Sequence, residues 1–251
     1  MVPSNLSQAM TLDRTSPVPL YHQLKEILLA QIKEGRFKQG QALPPEWQLC
    51  ERYGVSRITV RRAISELEYE GYVDRQQGKG TFVIHPRIKR EIGRLTSFSE
   101  EMKAQGRRPG SRLLNLQHKP ADESIAFLLG LDEGDPVWIV ERLRLADDEV
   151  VSYSISYLRL PHDVSLTPAE LKKEVSLWAL LERKGIYLSE GDITLEAIAA
   201  DVHYAKLLDV EEGAPLLVRE GVNYSERGVP IEYFRVISRA DRYKYSVHVA
   251  R

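Results

Sequence analysis

One cysteine stands among the 251 residues, and no run of apolar residues is long. A lone thiol closes no intrachain disulfide and builds no cysteine cluster. Stability therefore rests on apolar burial, for which a chain of this length has material enough for two ordinary domains. Cys50 falls in "QLCERY" at a helical position on or near the buried side and reads as structural. No stretch approaches the ~18 apolar residues of a spanning helix. The leading "MVPSNLSQAMTLDRTSP" also lacks a basic start followed by an apolar core. These absences set the expectation of a cytoplasmic protein with no membrane partner. The six histidines, at positions 22, 85, 118, 162, 203 and 248, lack ligand spacing, and no phosphate-cradling glycine loop precedes a helix. Neither a metal site, an organic cofactor nor a catalytic constellation is expected.

Net charge is scarce too, at −1, but the average conceals a division. From Arg14 to Arg90 there are 14 basic and 8 acidic residues; from Glu91 onward there are 21 and 27. A basic third joined to an acidic remainder points to one part that meets a polyanion and another with a different task.

In the basic third, "PLYHQLKEILLAQIKEG" sets Leu20, Leu24, Ile27, Leu28 and Ile32 at helical spacing, with Pro19 at the start and Gly35 at the stop. "LPPEWQLCERYG" follows as a short helix entered by Pro44 and Pro45 and closed by Gly54, with Trp47, Leu49 and Cys50 as its apolar contacts. Ser56 then caps "RITVRRAISELEYEG", whose Val60, Ala63, Ile64 and Leu67 form one stripe. That stripe leaves Arg57, Thr59, Arg61 and Arg62 in exposed first turns. Two short helices about a glycine-containing turn, the second basic at its N-terminal end, make a helix-turn-helix. Past Gly71, "YVDRQQGKGTFVI" reads as two strands around Gln77, Gly78, Lys79 and Gly80.

This run, "LPPEWQLCERYGVSRITVRRAISELEYEGYVDRQQGKGTFV", resembles the winged helix-turn-helix of the GntR family of bacterial transcription regulators over residues 15 to 85. The resemblance implies that Arg57, Thr59 and Arg61, with Arg62 beside them, face double-stranded operator DNA. It also puts Gly78, Lys79 and Gly80 in or beside the minor groove. Arginine suits the first role because it donates two hydrogen bonds to guanine O6 and N7, or pairs with phosphate. One position departs from the family pattern: where "PSER" usually opens the second helix, this chain has "PPEW", and Trp47 cannot make the bidentate guanine contact. Either Trp47 packs on neighbouring surface, or the operator differs from the common family site.

After the charged stretch 86 to 94, "PRIKREIGR", which reads as a linker, the pattern turns to strands. These are "SRLLNLQHK", "PVWIVERLRLA", "EVVSYSISYLR", "GDITLEAIAA", "APLLVREGVNY", "VPIEYFRVISR" and "KYSVHVA", with helices at about 121 to 130, 167 to 184 and 201 to 208. Turns at Asp147-Asp148 and Arg227-Gly228 imply antiparallel pairing, so the class is α+β. "ADESIAFLLGLDEGDPVWIVERLRLADDEVV" and "ADVHYAKLLDVEEGAPLLVREGVNYSERGVP" align without a gap. The repeat predicts two related halves about an approximate twofold axis, with a cleft where their sheets meet.

In "VWIVERLRLA", Val137, Ile139, Leu143 and Leu145 suit a core face, so Arg142 and Arg144 project together from the other. From the strand alone, a salt-bridged outer face and an anion site are both open readings. The segments "RLTSFSEEMKAQG", "ERLRLADDEVVSYSISYL", "VSLWALLERKGI" and "VPIEYFRVISRADRYKY" resemble the UTRA effector domain of the HutC subgroup, a fold shared with chorismate lyase, over roughly residues 92 to 248, which implies an effector-binding and dimerisation domain over residues 95 to 250. The resemblance implies that Arg142 and Arg144 bind a phosphate or carboxylate of a small anionic effector. It adds Thr96, Ser97 and Phe98 (with Ser99 after them) at a loop leading into a helix, Ser176 at another helix start, and Glu232 and Tyr243 for the effector's polar body. Ser154 stands where sugar-phosphate sensors often carry glutamate, which favours an anion site over a sugar site. The whole reads as a homodimeric regulator, a repressor released from a palindromic operator. Two alternatives stand beside it: a lyase-like enzyme, and an effector-independent DNA-binding protein.

Overall fold

A computed structural model describes residues 11–38, 40–84 and 87–249. His85, the linker's Pro86 and Ala250, at the end of the expected effector domain, lie outside the described residues, as do the first ten residues. The chain divides into two compact units, one up to Arg87 and one from Ile88.

The first unit is α1 (Leu20–Lys33), α2 (Glu46–Tyr53), α3 (Arg57–Tyr69), β1 (Val73–Gln76) and β2 (Gly80–Val83). Leu24, Leu28 and Ile32 of α1 meet Leu49, Val60, Ala63, Ile64 and Leu67 in one core, closed by Val73 and Val83 of the hairpin. Local chemistry sets the boundaries. Gly54 takes the left-handed conformation (φ 63°) that ends α2, and the Ser56 side chain accepts from the Thr59 amide to start α3. Cys50 packs against this core, but Trp47 is 54% exposed on the first turn of α2 and supplies no core contact, contrary to the sequence expectation.

The second unit begins with β3 (Ile88–Glu91) and continues as α4 (Phe98–Ala104), β4 (Pro109–Pro120), α5 (Glu123–Leu129), β5 (Pro136–Ala146) and β6 (Glu149–Leu158). Next come α6 (Pro168–Lys173), α7 (Leu177–Arg183), β7 (Glu190–Ala199), α8 (Val202–Leu208), β8 (Pro215–Tyr224), β9 (Pro230–Arg239) and β10 (Tyr243–Ser246). Six strands form an antiparallel sheet in the order β4-β5-β6-β9-β8-β7, and β3 pairs in parallel with β10.

The sequence repeat is a structural one. Asp122 and Asp201 cap α5 and α8, and Gly130 and Asp209 end them in the same left-handed conformation, so each landmark recurs 79 residues on. The two halves meet at β6 and β9 in one continuous sheet, not at a cleft between two sheets. The α5 and α8 helices cover one face, through apolar clusters around Ile125 and Leu129 and around Leu208 and Val218. The other face is covered at one end by α6 and α7 over Val140 and Leu158, and at the other by Ile88, Met102 and Tyr243 of β3, α4 and β10.

Two expectations change. Residues 88 to 91, within the stretch read as a linker, form a strand because Ile88 and Arg90 are buried against β10 and α4. The helix expected over 167 to 184 breaks at Glu174 and Val175: Glu174 is extended, and Ser176 caps α7 afresh by accepting from the Ala179 amide.

Gly221 of β8 packs hard against β7, where a Cβ would lie 1.8 Å from the Asp192 carbonyl oxygen. Gly221→Ala is expected to force β7 off β8 at a cost of about 1 to 3 kcal/mol, read as a lower urea midpoint. An unchanged midpoint would contradict the β7–β8 register.

Candidate functional site

The structure presents a basic surface in the first unit and a polar cavity in the second. On the first unit, the stripe of α3 that faces the core turns Arg57, Ile58, Arg61 and Arg62 outward. Arg61 Nε donates to Glu46 Oε2 of α2 at 2.9 Å, and Arg75 of β1 approaches Glu46 Oε1 at 3.8 Å. Glu46 thus holds two arginines from separate elements on one surface. Arg62 behaves differently: its guanidinium lies 3.9 Å from the Tyr21 ring centroid and pairs loosely with Glu66, which draws it toward α1. Thr59 is half-buried, and its hydroxyl shares a 2.9 Å hydrogen bond with Ser56. In the hairpin turn Gly78 (φ 77°) and Gly80 (φ 128°) adopt conformations open to glycine and leave Lys79 exposed at the tip. Ile58, 80% exposed beside these arginines, is a feature that charge-based reading passed over. Its position off the apolar stripe was the available signal. An aliphatic side chain there suits contact with a thymine methyl.

In the second unit, Thr96, Ser97, Phe98, Arg142, Arg144, Ser154, Ser176, Glu232 and Tyr243, all named from sequence, line one cavity of about 640 Å³, counting its part open to solvent. It lies over the sheet face between α4 and β10 on one side and α7 on the other. Ser152, Ser154 and Ser156 of β6 form its floor. Arg142 and Arg144 follow the same strand face two residues apart and both donate to one acceptor, the Val175 carbonyl, at 3.2 and 3.0 Å. That carbonyl is available because the helix breaks there. Arg144 also reaches Ser111 Oγ at 3.3 Å and stacks 4.4 Å from the Phe98 ring centroid.

No carboxylate pairs with either guanidinium among the described residues, and Arg142 Nε is buried with no acceptor. Burial, opposed by the more distant Glu232, pulls Arg142 down to about 10. Burial and then its neighbour Arg142 press Arg144 well below the usual arginine range. A guanidinium keeps its proton inside proteins, so the pair carries positive charge. Glu232 is held by neutral donors: Ser156 Oγ at 2.6 Å, Asn223 Nδ2 at 2.8 Å and Trp178 Nε1 at 3.0 Å. Ser97 caps α4, reciprocally with Glu100, yet still faces the cavity. Burial holds the Tyr243 phenol well above its ordinary value. Arg90, Arg219, Ser152, Ser156, Trp178 and Asn223 also line the cavity and were missed from sequence, since no local pattern marks them.

Residues 20–83 match the model for bacterial regulatory proteins of the gntR family, and residues 104–244 match the UTRA domain. The chain belongs to the GntR family, in its UTRA-containing branch. It is 34% identical to the HTH-type transcriptional repressor NagR of Bacillus subtilis, over 96% of this chain and 99% of that protein. It is 31% identical to the HTH-type transcriptional repressor PhnF of Mycolicibacterium smegmatis, over 92% and 93% of the two chains. The crystal structure of PhnF from Mycobacterium smegmatis superposes with a TM-score of 0.68 at 28% identity, covering 90% of this chain and 99% of that one. These are transcription regulators, not enzymes, and the chain is a DNA-binding transcription regulator. Among the described residues no helix is long and apolar enough to cross a membrane.

Arg57→Ala is expected to weaken specific operator binding by about 1 to 3 kcal/mol. Lys79→Ala should instead weaken all DNA sequences alike and reduce the salt slope by about one unit. Fluorescence anisotropy over a salt series measures both, and variants indistinguishable from wild type on operator DNA would refute the assignment.

Proposed function

We propose that this regulator represses transcription by binding a palindromic operator as a homodimer, and that a small anionic metabolite entering the serine-floored cavity releases it. One observation carries the effector reading. Two buried guanidiniums that line the cavity share a single carbonyl, and no carboxylate pairs with either among the described residues. An anion there gains charge-assisted hydrogen bonds and relieves the repulsion between the pair. NagR and PhnF are both named as repressors, which supports the direction of control. Twofold pairing follows from the shortness of the sequence one helix-turn-helix reads.

On this reading Arg57 and Arg61 with Lys79 contact DNA, and Arg62 holds α3 to α1 as much as it contacts phosphate. Arg142 and Arg144 bind the anion, with Ser97, Thr96 and Ser176 adding hydroxyl and amide donors. Glu232 and Ser154 face the effector's polar body.

The test begins with thermal shift against phosphorylated sugars, amino-acid derivatives and carboxylates. The compound that stabilises the chain should release operator DNA, and operator should weaken its binding by the same factor. The double substitution Arg142→Ala with Arg144→Ala should bind operator as tightly as wild type but ignore that compound. Release of the double variant at the wild-type concentration would move the anion site elsewhere. A panel with no stabilising member would return the chain to the effector-independent reading.

A further inference from the structure

The cavity has a second basic end. Arg219 of β8 and Arg90 of β3 line it, with Tyr245 beside them. Arg90 is compensated: it donates to Glu101 Oε2 at 2.5 Å and to the Thr96 carbonyl at 2.6 Å. Arg219 is not. Among the described residues it has no hydrogen-bond or salt-bridge acceptor, and its guanidinium lies only over the Phe234 ring, 4.5 Å from the centroid. Its nearest strong charge of like sign is Arg90, and burial draws it down to about 10.

The internal repeat supplies a control. Residue 219 corresponds, 79 positions on, to Val140, which packs in the apolar cluster beneath α6 and α7. The fold therefore accepts an aliphatic residue at this place in the sheet, and arginine is a departure that folding does not require. Arg90 and Arg219 also border a recess on their far side, where Glu91 and Glu190 stand beside Arg94, but the serine hydroxyls of β6 line only the near side. An anion is favoured on the serine-floored side.

Charge gives the same answer. Four arginines, Arg90, Arg142, Arg144 and Arg219, stand against two carboxylates, Glu101 on Arg90 and Glu232, which acts on both ends, so the cavity keeps a surplus of positive charge. Resting on the anion reading of Arg142 and Arg144, we propose that Arg219 and Arg90 form a second anion subsite. The effector is then a metabolite carrying two anionic groups, one at each end of a polar, hydroxyl-bearing body.

Calorimetry with two probes that differ at one end tests this: sorbitol 6-phosphate, and 6-phosphogluconate, which adds a carboxylate opposite the phosphate. Wild type should bind 6-phosphogluconate about tenfold or more tightly, the factor one charge-assisted hydrogen bond supplies. Arg219→Val, which installs the residue of the first half, should abolish that difference, with sorbitol 6-phosphate still bound through Arg142 and Arg144. Arg219→Lys should restore part of it. Equal affinities in wild type, a difference that survives in Arg219→Val, or failure of wild type to bind either probe would overturn the proposal. Loss of sorbitol 6-phosphate binding in the Arg142→Ala, Arg144→Ala variant reports on the first pair alone, so failure of the second subsite is distinguishable from failure of the first.

Discussion

Two guanidiniums buried side by side on one strand, sharing the carbonyl of Val175, are the constraint around which the effector unit is arranged. A buried charge is tolerated when hydrogen-bonded, and like charges at close range must be screened by something. The protein meets the first demand in part, by breaking a helix to offer a carbonyl and by setting Ser111 and the Phe98 ring against Arg144. It leaves the second to Glu232, which Ser156, Asn223 and Trp178 hold in place. Residual positive potential then falls within the cavity, where a ligand feels it, and not on the outer surface, where salt would screen it.

The repeat shapes the scaffold, and the differences between its two copies shape the site. The helix caps, the left-handed helix ends and the hairpins recur at a fixed offset, so both halves present the same sheet face to the covering elements. The counterparts of Arg142 and Arg144 are Gly221 and Asn223. Gly221 is crowded by the backbone of β7, and Asn223 serves as a donor to Glu232. Close strand contact in the second half therefore excludes a duplicate arginine pair, which leaves one Arg142–Arg144 type site per chain instead of two.

Those physical differences also explain what the sequence disclosed. Capped helices and strands with bounded turns were readable because their signals are local: Ser56, Gly54 and Asp122 each act within four residues. The nine cavity residues named beforehand came from period-two geometry at Arg142 and Arg144 together with a family resemblance at the others. The break at Val175 was hidden because apolar spacing continues through it, and the carbonyl it frees is used by residues 31 and 33 positions away. β3 was hidden because four alternating residues rich in charge read as linker until β10 is known to pair with them. Arg90 and Arg219 join the cavity only through tertiary folding, and Ile58 carries no charge to attract notice.

β3 gives the cavity a covalent route to the DNA reader. It is the first element of the effector unit, and the first unit ends at Arg87, one residue before it. Arg90 on β3 grips both Glu101 of α4 and the Thr96 carbonyl, immediately before the Ser97 cap. An anion that engages residues 96 to 98 therefore acts on the same few atoms that fix β3. A ligand shifts an equilibrium only by its difference in affinity for two states, so on the proposed reading release would require two placements of the strand that differ in how they present these groups. The difference required is small: about 1 to 3 kcal/mol changes operator affinity by roughly one to two orders of magnitude. Arg90 is suited to that scale, because exchanging one of its two acceptors for a bound anion alters a charge-assisted hydrogen bond without emptying the apolar core beneath Ile88 and Met102.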